Sequence, residues 1–195
     1  MRRTTLFRQL VEADEILLLP GVHDALSARL AVAAGFSALT CGGYAATASL
    51  LGAPDIAQLS MTEMADMYAR LADATTLPIL ADADTGYGNA INVARTVRSF
   101  ERAGVAALFI EDQVAPKRCG HMDGKRVIPV AEMVAKLKAA LDARVDQDFV
   151  IMARTDARAT EGLEAAIERA QIYREAGADL TPICLICWAM KGRPK

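Results

Sequence analysis

The chain lacks an excess of either charge: 22 basic against 24 acidic residues leave a net of −2, which removes any electrostatic reason to expect nucleic acid or an anionic membrane as partner. It also lacks any run approaching the roughly 18 apolar residues of a membrane span. The N-terminus starts basic at Arg2 and Arg3, but Arg8, Glu12 and Asp14 interrupt any apolar core, so a secretory leader does not fit. Cysteine is sparse. Cys41, Cys119, Cys184 and Cys187 are scattered apart from the last two, in a chain large enough to fold without staples, so reduced thiols in a cytoplasmic protein are expected. The Cys184–Cys187 pair has CxxC spacing but no second pair, which argues against structural zinc. A GxGxxG phrase after the first apolar run, the mark of a dinucleotide site, is missing as well. What remains is a 195-residue chain, 53% hydrophobic, that fits one globular domain with a sizeable core.

Apolar runs of strand length alternate with helical patterns. Leu6, Phe7, Leu10 and Val11 fall at helical spacing over residues 4–14, and Ile16–Leu19 reads as a first buried strand stopped by Pro20-Gly21. His23 and Asp24 follow, with Asp24 placed to cap a helix that Gly35 closes. Residues 36–41 read as a second strand, and the glycine- and alanine-rich stretch from Gly42 to Asp55 reads as a long functional loop. Ser60 with Glu63 predicts a capping box for a helix to about Asp73. Strands are expected at 78–81, 106–110 and 149–153, each followed by a helix, over 89–103, 130–143 and 162–176. Three helices end in Ala-Gly, at Gly35, Gly104 and Gly177. About five βα units result, which implies a parallel sheet.

Polar residues gather after strand ends, which is the habit of the (β/α)8 TIM-barrel type of α/β fold, here incomplete; an open doubly wound sheet is the alternative. His23, Asp24, Cys41, Asp82, Asp84, Glu111, Asp112, Arg154 and Asp156 would then converge on one pocket. In Ile79-Leu80-Ala81-Asp82-Ala83-Asp84-Thr85-Gly86, strand alternation points Asp82 and Asp84 the same way. Two such close carboxylates need a cation or proton between them, or else merely cap the next helix in solvent. With Glu111 they make a hard oxygen set suited to Mg²⁺, and without sulfur or imidazole they suit zinc poorly. Arg154 offers a fork for a substrate carboxylate, or pairs with Asp156 or Glu111. Cys119, flanked by Lys117, Arg118 and His121, is either an activated thiol fit for proton transfer or an ordinary loop cysteine among solvated charges.

Taken together, Pro20-Gly21-Val22-His23-Asp24-Ala25, Leu51-Gly52-Ala53-Pro54-Asp55, Asp82-Ala83-Asp84-Thr85-Gly86-Tyr87-Gly88, Ile110-Glu111-Asp112-Gln113, Lys117-Arg118-Cys119-Gly120-His121 and Ala153-Arg154-Thr155-Asp156-Ala157 resemble the isocitrate lyase and phosphoenolpyruvate mutase superfamily, most closely its 2-methylisocitrate lyase-like branch. The KRCGH phrase is the most specific of these, because it looks like the lyase branches, whereas mutases and oxaloacetate decarboxylases of the superfamily lack the cysteine. The resemblance implies cleavage of a carbon–carbon bond in a 2-hydroxy carboxylic acid to a 2-oxo acid such as pyruvate plus a second acid. It also implies Mg²⁺, with Mn²⁺ as an alternative, on Asp82, Asp84 and Glu111. Cys119 would be general acid, Arg154 would hold the substrate carboxylate, His121 and Arg118 would assist the departing acid, and Asp55 would touch the metal-bound oxo acid. A decarboxylating or phosphonopyruvate-processing relative, or a non-catalytic remnant, is the other reading.

Two features depart from the family. Thr40-Cys41-Gly42-Gly43 stands where lyases of the branch show Tyr-x-Ser-Gly, which leaves the Gly42 and Gly43 N–H groups to meet a carboxylate and puts the specific substrate in question. The likeness also stops near Asp179, so residues 1–179 are expected to be a partial lyase barrel and 180–195 an aberrant tail from truncation or frameshift. The family's last strands, and the C-terminal helices exchanged within its homotetramers, would then be missing. Because five strands of eight leave two sheet edges unpaired, the chain as given is expected to be unstable or inactive.

Overall fold

A computed structural model describes residues 1–183. Helix α1 (Arg3–Glu12) comes first, then α2 (Ala25–Ala33), β1 (Leu39–Cys41), α3 (Gly43–Leu51), α4 (Met61–Ala74), β2 (Ile79–Asp82), α5 (Ala90–Arg102), β3 (Ala107–Glu111), α6 (Val130–Ala143), β4 (Val150–Arg154), α7 (Ala157–Thr160) and α8 (Leu163–Glu175). The four strands form one parallel sheet in the order β1-β2-β3-β4. Sequential order with no reversal is barrel topology and excludes the doubly wound alternative, whose strand order doubles back at a switch point.

Alternation along the strands divides the core in two. Leu39, Cys41, Ile79, Ala81, Leu108, Ile110, Ile151 and Ala153 join the large cluster, which also contains buried residues of α2, α4, α5, α6 and α8. Leu80, Ala107 and Val150 join a smaller cluster whose helical members, Phe7, Leu10 and Val11, all come from α1. Helices therefore flank one face, while α1 closes the lower part of the other, and the strand C-termini stay open. Local signals fix the helix starts. Asp24 accepts from Ser27 N at 2.7 Å, and Ser60 and Glu63 form the expected reciprocal box.

Three expectations need correction. Ile16–Leu19 is not a strand: Ile16 is 89% and Leu18 66% exposed, and this edge meets β1 only through the single bridge Gly21↔Thr40. An apolar run reads as buried only if a neighbour covers both sides, and here one side is open. The described sheet therefore has four strands rather than five. The stretch from Gly42 to Asp55 is not a loop throughout, because its alanines and leucines build α3, closed by Gly52 in the left-handed conformation.

On the other edge, Asp179 N donates to Ile151 O at 2.9 Å, and Leu180 and Pro182 accept from Ala153 and Thr155, so residues 179–183 run parallel to β4. Residues 184–195, which hold Cys184 and Cys187 and most of the segment expected to be aberrant, lie outside the described residues. Among the described residues no helix is long and apolar enough to cross a membrane.

Candidate active site at the strand ends

β2 stops at Asp82, and Asp84 takes a left-handed φ of 48°. The two acids therefore come together through a turn, not through strand alternation: Asp84 N donates to Asp82 Oδ1 at 2.9 Å. The other oxygen of Asp82 accepts from Gly43 N at 2.7 Å, at the first turn of α3, where the helix dipole favours negative charge. Tyr68 wedges beneath. Its hydroxyl accepts Asp82 N at 2.7 Å and lies 2.9 Å from the carbonyls of Cys41 and Asp82, fixing both strand ends. Gly86, at φ 87°, leaves no room for a side chain, since an added Cβ would stand 2.4 Å from Val93.

Between the acids sits Lys117. Its Nζ is 2.7 Å from Asp55 Oδ2 and 2.7 Å from Asp84 Oδ1, and the side chain is 3% exposed. Burial alone would lower the Lys117 pKa, but Asp82, Asp84, Glu111 and Asp55 outweigh it and hold the ammonium above the usual lysine range. Asp84 is pushed up to about 7, first by burial and then by Asp82, with Lys117 pulling the other way. Glu111 is raised by burial against the opposing pull of Arg154, which stands 3.3 Å away. Its Oε1 is buried with no hydrogen-bond partner among the described residues.

Arg154 takes the paired arrangement, bridging Glu111 and Asp156 and lying 5.8 Å over the Phe109 ring. Cys119 is buried, with Sγ 3.3 Å from His121 Nδ1, and its N–H donates to Asp55 O. Of the three cations expected around that thiol, only His121 touches it. Lys117 turns inward to the acids, and exposed Arg118 donates to Asp123 O. His23 and Asp24 are about half exposed and pair with each other at 3.8 Å, and Asp24 caps α2 rather than facing the acids. Cys41 is buried, and burial followed by the Asp82 charge pushes its thiol up to about 12, so it is chemically quiet.

The donor set fits a hard divalent cation. Asp55, Asp82, Asp84 and Glu111 all offer carboxylate oxygen, one Glu111 oxygen is buried without a partner, and negative charge exceeds what Lys117 and Arg154 balance. They are not a finished cage, for among the described residues no three His, Cys, Asp or Glu side chains stand in a metal-holding group. Gly43 limits the room beside them, since a Cβ there would lie 3.2 Å from Asp55 Oδ2 and Lys117 Nζ and 3.3 Å from Asp82 Oδ2. Gly43→Ala should therefore lower the melting temperature, because the buried Asp55, Asp82 and Lys117 are already bonded to one another or to the Gly43 N–H and have little room to give.

The same fold occurs in known proteins. A family model described as phosphoenolpyruvate phosphomutase matches residues 7–188. The chain belongs to the phosphoenolpyruvate mutase/isocitrate lyase superfamily. Curated relatives in this superfamily include 2,3-dimethylmalate lyase of Eubacterium barkeri, 49% identical over 180 residues, covering 92% of this chain and 62% of that protein. The 2-methylisocitrate lyase of Halalkalibacterium halodurans is 52% identical over 173 residues, 89% of this chain and 57% of that one. Among solved structures, a 2,3-dimethylmalate lyase superposes with a TM-score of 0.89 at 40% identity, covering 94% of this chain and 62% of that one. A phosphonopyruvate hydrolase in complex with oxalate and Mg²⁺ superposes with a TM-score of 0.86 at 34% identity, over 94% and 63%. The chain thus spans less than two thirds of the length of these superfamily members.

Several residues that build this site were not singled out from sequence. Lys117 was legible only as a neighbour of Cys119, although the need for a cation among close carboxylates pointed to such a group. Gln113 stood only at the end of the Ile110–Gln113 motif with no role assigned, and Tyr68 carried no signal of its own. Asp112, expected in the pocket, instead accepts from Thr155 Oγ1, Asp156 N and Tyr173 OH and ties α8 to the strand ends.

Proposed function

We propose that this site cleaves a carbon–carbon bond in a 2-hydroxy dicarboxylic or tricarboxylic acid, in the manner of 2-methylisocitrate or 2,3-dimethylmalate, with Mg²⁺ as cofactor. The observation that carries the reading is the Cys119 thiol, held 3.3 Å from His121 on the same short loop whose Lys117 enters the acid cluster. An acid and a carboxylate cluster fit for a divalent cation, delivered together, are what such a cleavage needs.

The substrate's hydroxyl gives its proton to solvent water and becomes the carbonyl of the 2-oxo acid. The C–C bond breaks, and its electron pair moves to the α-carbon of the departing acid. Asp82, Asp84 and Glu111 would hold a divalent cation, which would supply positive charge to stabilise the developing oxo-acid oxygen. Cys119 delivers the proton that the carbanion requires, and His121 Nδ1 is placed to steady the resulting thiolate. Arg154, with its guanidinium braced by Asp156, presents a fork to a substrate carboxylate. Lys117 balances charge that changes during the reaction. The Gly43 N–H is taken by Asp82, so the contact with a substrate carboxylate that was expected of Gly42 and Gly43 falls to Gly42.

Pyruvate release, followed with lactate dehydrogenase, tests the reading. 2-Methylisocitrate or 2,3-dimethylmalate should yield pyruvate with Mg²⁺ and none with EDTA, an outcome that would overturn the expectation that the chain as given is inactive. Release from phosphonopyruvate but from neither hydroxy acid would favour the phosphonopyruvate-processing alternative.

The raised Asp84 carries a pH dependence. Its folded-state pKa of about 7 lies above the ordinary 3.8, so the folded chain binds the extra proton between those values. The stabilisation is full below the lower value and is lost as pH rises through the upper. Metal-free protein should therefore melt lower at pH 8 than at pH 5, and Asp84→Asn should flatten that slope. Mg²⁺ must displace the same proton, so its affinity by calorimetry should rise with pH up to about 7 and then level off.

A further inference from the structure

Asp156 and Gln113 are not themselves part of the acid cluster, which Asp156 reaches only through Arg154, yet both are 1% exposed and fully engaged. The Asp156 carboxylate divides its oxygens. Oδ1 accepts from Arg154 Nη2 at 3.1 Å, and Oδ2 accepts from Gln113 Nε2 at 3.2 Å. The amide of Gln113 completes the connection, because Nε2 also donates to Arg118 O at 3.0 Å while Oε1 accepts from Arg118 N at 3.0 Å. That pair of bonds fixes the amide orientation, since a backbone N–H can only donate. Arg118 lies between Lys117 and Cys119, so holding its peptide groups fixes the chain on both sides. Beneath, the Asp156 backbone N–H is held by Asp112 Oδ1 at 2.9 Å, and Asp112 is bonded in turn to Tyr173 of α8.

We infer that Asp156 and Gln113 are a positioning pair that locks the Cys119 loop to the Arg154 fork, so that the proton donor and the carboxylate clamp are set by one buried hydrogen-bonded unit. A half-satisfied network would be worse than none, because each lost partner leaves a buried polar group unpaired. Removing either member should therefore loosen the loop while the sheet, which rests on its own ladder and apolar core, remains in place. The inference relies on the roles proposed for Cys119 and Arg154, but its test needs neither substrate nor metal.

The test is thiol reactivity toward an aromatic disulfide such as DTNB, in the full chain carrying Cys184→Ser and Cys187→Ser. Two thiols then remain. Cys41 is fully buried in the main core and reports loosening of the whole fold, whereas Cys119 reports the loop. Gln113→Ala and Asp156→Asn should each raise the Cys119 rate about tenfold with the Cys41 rate unchanged. Their combination should react no faster than the quicker single variant, as expected when both act through one connection. An unchanged Cys119 rate in both single variants would overturn the proposal. So would multiplication of the two effects in the double variant, or a Cys41 rate that rises in step with Cys119. Should Asp156→Asn alone lose the fold, Gln113→Glu, which sets a carboxylate against Asp156 Oδ2 and Arg118 O, must give the same selective rise at Cys119.

Discussion

Lys117→Met should destabilise the metal-free chain by about 3–5 kcal/mol, the usual cost of stranding buried charge by removing its partner. Methionine keeps the length and apolar volume of the lysine stem, so the loss isolates the ammonium. Lys117 Nζ meets Asp55 and Asp84 at 2.7 Å each, and both acids are nearly buried. With it gone, Asp84 has to take a proton, so the loss should be smaller at pH 5 than at pH 8. Mg²⁺ should restore part of the stability, because a second cation then satisfies the same oxygens, and Lys117→Met with Asp84→Asn should be less harmful than the single substitutions predict when summed. Urea melts at the two pH values, with and without Mg²⁺, read all of this. A variant as stable as the parent at pH 8 without metal would show that Lys117 is not the counter-ion of the cluster.

Cys119→Ser should lower turnover of the hydroxy acid by about 10²–10⁴, the range that a positioned general acid contributes. Serine fits the same space and can accept the same backbone geometry, but its hydroxyl is a far weaker acid than a thiol. The proton then reaches the carbanion slowly. Mg²⁺ affinity should hardly move, since Cys119 bonds His121 and the Asp55 backbone and touches none of the three proposed metal ligands. A decarboxylating or phosphonopyruvate-processing site makes no such demand on the thiol, so pyruvate release that survives the substitution would separate those readings from the cleavage proposed here.

The ladder and its acids were readable because short apolar runs ending in Asp82, Glu111 and Arg154 keep a simple order, and all three strands form where the pattern places them. Capping chemistry at Ser60 and Glu63 was equally local and equally visible. Other features depend on contacts remote in sequence. Ile16–Leu19 has the composition of a buried strand, but pairing on one side only leaves Ile16 and Leu18 exposed. Gly42 and Gly43 suggested a loop, although Gly42 caps α3 and Gly43 opens it and brings its N–H against Asp82. The direction of Lys117 was hidden for the same reason: adjacency to Cys119 in the chain does not say which way a loop side chain turns, and its partners Asp84 and Asp55, 33 and 62 residues upstream, decide it. Asp112 and Asp156 read as site acids by position, whereas their hydrogen bonds make one a brace for α8 and the other a brace for Arg154.

Cleavage of 2,3-dimethylmalate in deuterium oxide tests the central claim most directly, because it follows the bond that breaks and the proton that replaces it. With Mg²⁺ present, pyruvate and propionate should form in equal amounts, the propionate carrying one deuterium at its α-carbon on a single face, and Cys119→Ser should suppress both products together. Absence of cleavage by the folded, Mg²⁺-loaded chain would contradict the account, as would cleavage that persists in Cys119→Ser or deuterium delivered equally to both faces.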